Sequence, residues 1–220
     1  MSTRKTISRY TTPQGPEAEF QPGSRRQVLR NRLGIIRRRE MDQIEYEALA
    51  WVQDAYLKTI TPNTRFTAAR LCRMHRDWLG KIYSWAGQYR TVELQKGTFR
   101  WPPAFRVAEN MVRFEHDLLA RYTPCRAGPL LEVARRIAEV HSELLLIHPF
   151  REGNGRLARW VADLMCLQAE LPVPDYGFTG KGTTRLGRAY LGAVVSGYGQ
   201  DYRPLTDFFA EAVTRRLEEV

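Results

Sequence analysis

HPFREGNGRLARW, residues 148–160, is the stretch on which the reading of this chain turns. Just upstream, Leu130, Val133, Ala134, Ile137, His141 and Leu144 recur at i, i+3, i+4 and i+7, which predicts a helix over 130–147. Pro149 must stop it, because proline has no N–H to donate and disfavours helical backbone in the residue before it. His148 is therefore placed in a loop. Gly153-Asn154-Gly155 lets the chain turn tightly, and from Arg156 the apolar spacing of Leu157, Trp160, Val161, Leu164 and Leu167 begins a new helix.

A loop that runs into a helix N-terminus leaves several backbone N–H groups unpaired beside the positive end of the helix dipole, which makes an anion site. Arg156 and Arg159 lie on that first turn, where a cation is disfavoured by about 0.3–1 kcal/mol unless a polyanion is bound. Glu152, just ahead of the turn, is a hard oxygen ligand of the kind Mg²⁺ takes alongside phosphates and water. A histidine, a carboxylate, a glycine-rich nest and two arginines in so short a span form a set suited to phosphoryl chemistry. Phe150, an aromatic between polar neighbours, is expected to plug the core and anchor the loop.

Outward from this stretch, the pattern is mainly helical. Ile44, Ala48, Val52 and Ala55 predict a helix over 39–59, stopped by Thr61-Pro62-Asn63. Thr67 reads as the N-cap of a second helix whose stripe is Leu71, His75, Trp78 and Ile82 and whose end is Trp85-Ala86-Gly87. Residues 89–101, YRTVELQKGTFRW, are rich in β-branched and aromatic types around a Lys96-Gly97 turn and predict a short β-hairpin. Helix resumes over 103–122. Residues 1–26 carry Pro13, Pro16 and Pro22 among polar residues and are expected to be a flexible basic arm. GFTGKGTTR, 177–185, lacks the GxxxxGK[ST] order of a phosphate loop.

Composition narrows the function classes. At 220 residues the chain can bury a core without disulfides or structural metals. Cys72, Cys125 and Cys166 are odd in number and widely spaced, which fits a reducing cytoplasm better than a disulfide framework or a zinc site. No apolar h-region follows the N-terminus, and the run Leu144–Ile147 is too short to span a bilayer, so neither secretion by signal peptide nor membrane insertion is expected. The net charge is +10, with 29 Arg against 5 Lys. Such a surface suits phosphate, nucleic acid or an acidic protein.

HPFREGNGRLAR resembles the Fic (Fic/Doc) signature HPFx[DE]GNGRxxR at every specified position. YSWAGQYRTVELQKG is similar to the approach to that family's flap, and DYRPLTDFF to its closing helix. The resemblance implies a mainly α Fic-fold helical bundle with a short β-hairpin flap, a Fic domain over 27–220, and transfer of AMP from ATP to a Ser, Thr or Tyr hydroxyl of a target protein. By the same resemblance His148 is the general base and Glu152 the Mg²⁺ ligand. Gly153, Asn154 and Gly155 form the phosphate nest, and Arg156 and Arg159 the triphosphate clamps. Gly155 stands where the phosphorylating Doc subgroup carries Lys, which favours nucleotide transfer. Flap residues Glu93, Leu94, Gln95, Lys96 and Gly97 would register the target main chain by strand addition. Tyr190 and Tyr198 are candidates for the base pocket, with core or surface packing as the competing reading.

Many members of this family are restrained by a helix bearing [ST]xxxE[GN]. Thr214 alone has a Glu four residues on, Glu218, and Glu219 follows where the family has Gly or Asn. The resemblance therefore points to a toxin held by a small separate antitoxin carrying an inhibitory Glu helix, rather than to restraint in cis through Glu218. Three readings remain at this level. They are an AMP transferase, with UTP or GTP open as donors; a nucleic-acid binder, although the signature does not require nucleic acid; and a catalytically silent Fic-fold binding module.

Overall fold

The computed structural model describes residues 16–178 and 183–218. The chain is mainly α-helical, with one two-stranded antiparallel sheet. Its middle is α5 (Leu130–Ile147), with the bounds the periodicity predicts. Val133, Ala134, Ile137, Ala138, Val140, Leu144 and Leu145 are all buried, while Glu132 and Arg135 mark its exposed side. α6 (Asn154–Gln168), α7 (Thr183–Gly197) and α8 (Arg203–Glu218) pack on it, and α3 (Val107–Phe114) reaches it from another side. α1 (Arg38–Leu57) and α2 (Ala68–Leu79) form a neighbouring pair, with α2 meeting α6 and α3.

Local chemistry explains most boundaries. The Thr67 hydroxyl accepts the Arg70 N–H at 3.1 Å, the N-cap expected for α2. α2 stops at Leu79, however, and not at Gly87. Gly80 is a poor helix former, and the N–H groups of Ile82 and Tyr83 turn back onto the Leu79 carbonyl at 2.9 and 2.8 Å. Ile82, Tyr83 and Trp85 thus reach the core from a loop. The single helix expected over 103–122 is broken into a 3₁₀ turn (Ala104–Arg106), α3, a π-turn (Glu115–Leu119) and a last turn, α4 (Ala120–Tyr122). From the π-turn the Glu115 carboxylate accepts the Ala68 N–H at 2.7 Å and completes the start of α2.

The hairpin pairs β1 (Gln95–Lys96) with β2 (Phe99–Arg100), Gln95 facing Arg100 and Lys96 facing Phe99, and Gly97 takes the left-handed turn at φ +62°. One expectation needs correction. Residues 1–15 lie outside the described residues, but 16–26, assigned to a flexible arm, are packed. Glu17 and Ser24 are buried, Phe20 bridges Leu29, and the Gln21 N–H donates to Val28 O at 2.9 Å. Its few apolar residues alone would leave this segment loose, whereas polar contacts hold it. Residues 179–182 of GFTGKGTTR also lie outside the described residues. No described helix is long and apolar enough to cross a membrane.

Candidate functional site

The site begins with what Pro149 cannot do. In a continuing helix the residue at 149 would donate its N–H to the Leu145 carbonyl; proline has none to give. That carbonyl instead accepts His148 Nδ1 at 3.0 Å and the Trp101 indole N–H at 3.0 Å. His148 ends α5 in left-handed backbone, φ 51° and ψ 60°. Because a carbonyl can only accept, Nδ1 carries the proton, and Nε2 is left with its lone pair. The half-buried ring lies against Trp101, centroids 4.1 Å apart. Burial first, with help from the charge of Arg90, pushes His148 down to about 3 despite its bond to Leu145. At neutral pH the ring is an uncharged base.

The turn after His148 is built from buried contacts. Phe150 is fully enclosed and stacks on His75 with centroids 4.0 Å apart, the core plug its position predicts. The Asn154 amide closes the loop on itself, accepting the Phe150 N–H at 2.9 Å and donating to the Phe150 carbonyl at 2.7 Å. Its side chain is thus spent on the loop, and only its backbone N–H is left for an anion. Gly153 takes φ +84°, and a Cβ there would meet the Trp78 ring at 2.9 Å, so glycine is required by conformation and by space. At Gly155 a Cβ would meet nothing closer than Arg159 at 3.7 Å. Neither backbone conformation nor space within the chain demands glycine at 155.

α6 begins at Asn154, two residues before the helix start predicted at Arg156, with no side chain capping it. The N–H groups of Asn154, Gly155 and Arg156 precede the first intrahelical bond, Leu157 N–H to Gly153 O at 2.9 Å. Glu152 lies beside this row of amides. Its backbone carbonyl meets His75 Nε2 at 3.0 Å, and its carboxylate accepts the Gly153 N–H at 3.1 Å. The Gly87 N–H donates to His75 Nδ1, so Nε2 is the protonated nitrogen and donates to Glu152. Burial lowers His75 to about 4.

A cavity of about 440 Å³ opens over this turn. His148, Glu152, Gly153, Asn154, Gly155 and Arg159 form its floor, and Gln95 and Lys96 of the flap one wall. Leu191, Val194 and Val195 of α7 give it an apolar wall, and Tyr190 and Tyr198 line it as well. Lys96 and Gln95 therefore join the signature in space, whereas Glu93, Leu94 and Gly97 do not line the cavity. The Glu93 carboxylate accepts the Ala104 N–H at 3.0 Å, and Leu94 is buried.

Arg156 also stands apart. Its guanidinium pairs with Glu45 of α1 at 2.6 Å, lies over the Trp78 ring, and is not on the cavity wall. Glu45, buried and also holding the Tyr83 hydroxyl at 2.5 Å, offsets the unfavourable placement of a cation at a helix start. Arg159 lines the cavity with its guanidinium over the adjoining rings of Phe178 and Tyr190, and among the described residues no carboxylate lies within ion-pair distance of it. Tyr190 is nearly enclosed and its hydroxyl is bonded to His141 Nε2 at 2.8 Å. Tyr198 stacks on Phe99 of the flap at 4.9 Å. Both line the cavity, yet each has a packing role. His75, Glu45, Trp101 and the α7 wall were not foreseen as parts of the site; only Leu191, Val194 and Val195 carried a signal, as apolar positions at helical spacing.

Residues 65–166 match the Fic/DOC family. The chain is 30% identical over 147 residues to the probable protein adenylyltransferase Fic of Salmonella typhimurium, an alignment covering 64% of this chain and 69% of that protein. It is 28% identical over 132 residues to protein adenylyltransferase VbhT of Bartonella schoenbuchensis, covering 60% of this chain but only 27% of that relative's length. In fold it is similar to the BepC protein of Bartonella tribocorum, a VirB-translocated effector crystallised with AMPPNP. The TM-score is 0.69 at 21% identity, over 89% of this chain and 96% of that one.

Proposed function

We propose that this chain, which belongs to the Fic/DOC family, is a protein adenylyltransferase that moves AMP from ATP to a hydroxyl side chain of a target protein. The observation that carries the reading is His148. Its tautomer is set by Leu145, and its free Nε2 belongs to a ring that lines the cavity together with the unpaired amides at the start of α6.

The residues divide the work. Nε2 of His148 takes the proton as the target oxygen attacks the α-phosphorus; the bond from that phosphorus to the β-phosphate oxygen breaks, and pyrophosphate leaves. The amides of 154–156 and the Arg159 guanidinium hold the phosphates, with charge developing toward donors that need no reorganisation. Arg159 takes the clamp role, while Arg156 holds the turn to α1 through Glu45. The apolar wall of α7 receives the purine, and Gln95 and Lys96 meet the target chain.

Glu152 suits Mg²⁺. Among the described residues no three His, Cys, Asp or Glu gather into a metal site. A single carboxylate beside a phosphate cradle fits an ion that fills its remaining positions with phosphate oxygens and water. When bound, the ion neutralises phosphate charge.

The finer reading is a toxin restrained in trans in the cytoplasm. Supporting it, the Arg159 guanidinium has only the more distant charge of Asp163 beside it among the described residues, and Glu218 is exposed at the end of α8. A small acidic antitoxin presenting a Glu-bearing helix would supply a carboxylate partner. Testing the function requires incubation of the protein in a cell lysate with each α-labelled nucleoside triphosphate and Mg²⁺. Labelling of a protein band by ATP, lost with His148→Ala, is expected; equal labelling by the variant would remove the reading.

A further inference from the structure

The signature and the flap are far apart in sequence, and one buried side chain joins them. Arg90, 1% exposed, sends Nε–H to the His148 carbonyl at 2.8 Å. One terminal nitrogen donates to the Val92 carbonyl at 2.9 Å; the other donates to Pro102 at 2.6 Å and, more distantly, to Ile147 at 3.5 Å. The backbone N–H of Arg90 takes the Pro149 carbonyl at 2.8 Å. One residue therefore binds the three consecutive carbonyls of 147, 148 and 149, together with the two carbonyls on either side of the hairpin.

The chemistry of this contact is specific. All four side-chain acceptors are neutral carbonyls, and burial is the main influence on Arg90, lowering its pKa. A charge enclosed at that cost needs its hydrogen bonds filled. Only a guanidinium presents donors in a rigid planar fork wide enough to reach carbonyls on three sides; an ammonium is a single point. The acceptors matter too. His148 is held in left-handed backbone, which a non-glycine residue adopts at a cost and keeps only where its surroundings enforce it. Arg90 grips that residue's own carbonyl and both its neighbours'.

We infer that Arg90 is a positioning residue that fixes the His148 backbone and both ends of the flap as one rigid unit, setting the distance between the base and the strand that presents the target hydroxyl. Arg90 does not line the cavity, so it acts through His148 and the flap and not on the nucleotide. Transfer depends steeply on such placement, since misplacement of about 1 Å can cost on the order of a hundredfold in rate.

The activity arm of the test rests on the adenylyltransferase reading; the exchange arm does not. Arg90→Lys and Arg90→Ala are compared with wild type by amide hydrogen exchange, ATP affinity and rate of protein labelling, each with and without added guanidinium at non-denaturing concentration. Exchange at 93–101 and at 147–153 is expected to rise together, about tenfold or more, while the centre of α5 keeps its protection. ATP affinity should stay within about threefold, labelling should fall at least thirtyfold in both variants, and guanidinium should restore part of the rate in Arg90→Ala only. If Arg90→Ala does not fold, Arg90→Lys carries the exchange, affinity and rate comparisons. A variant labelling at the wild-type rate, a loss of ATP affinity parallel to the loss of rate, or exchange that rises in one region without the other would overturn the inference. Should wild type label nothing, the proposed function fails, and the exchange result alone decides the coupling.

Discussion

The turn at 148–155 and the flap at 93–101 line the same cavity and are built in opposite ways. The turn is over-determined: Phe150 on His75, Asn154 onto Phe150, Gly153 against Trp78 and His75 onto the Glu152 carbonyl each hold it with buried contacts. The flap is fixed mainly at its ends, through Arg90 and the Trp101 N–H to Leu94, and its tip from Lys96 to Arg100 is exposed except where Phe99 meets Tyr198. The difference separates two tasks. Reacting groups gain from a geometry that does not relax, whereas a surface that meets a partner chain needs unpaired backbone and room to adapt.

The comparison is tested hardest at His148. His148→Ala is expected to lower transfer by about 10²–10⁴-fold with ATP affinity changed little, because the base acts on the hydroxyl and not on the nucleotide. Parallel loss of both, in titrations and labelling assays, would show that the ring also supports the nucleotide.

Two glycines give a matched pair. Gly153 and Gly97 both have left-handed backbone, at φ +84° and +62°, but a Cβ at 153 strikes Trp78 while one at 97 meets nothing within 4 Å. Gly153→Ala should cost several kcal/mol of stability in denaturant titrations, from strain and overpacking together, and Gly97→Ala only about 1 kcal/mol. Equal costs would erase the contrast between the two regions.

Three histidines with lowered pKa values make the fold acid-sensitive. Burial sets His75 to about 4 and His148 and His141 to about 3. Their unfolded values lie near 6.5, so the unfolded chain binds protons first and stability falls as pH drops from about 6.5 toward 4. Each histidine contributes a slope of at most about 1.4 kcal/mol per pH unit. Thermal melts should show that decline, with exchange at 148–153 rising alongside it, and flat stability down to pH 4 would remove the histidines from the structural account. The smallest effect belongs to Glu218→Gly, an exposed position far from the turn in sequence, expected to change stability by less than about 0.5 kcal/mol and leave auto-modification unaltered. Activation by that change would reverse the reading of restraint.

What the sequence discloses follows the range of the interactions. α5, its stop at Pro149 and the Thr67 cap depend on neighbours a few residues away, and all were legible. The hairpin was legible from Lys96-Gly97 and the flanking β-branched residues. Packing of 16–26 was not, because Glu17 finds the Thr91 N–H 74 residues later and the Arg151 guanidinium 134 residues later. Nor was the role of Arg156, whose partner Glu45 is 111 residues away on a different helix. At the site, the order of His, Glu, Gly-Asn-Gly and Arg picked out the stretch that lines the cavity, Arg156 apart. The free nitrogen of His148, however, depends on a carbonyl that only the folded chain brings within reach.

AMP, and not phosphate, is the group expected on the target, and parallel labelling with ATP carrying its isotope at the α- or the γ-phosphate separates the two. Protein label from α-labelled ATP alone, with pyrophosphate released and neither product seen with His148→Ala, is the predicted result. Protein label from γ-labelled ATP would contradict it, because the nucleophile would then have met the far end of the nucleotide.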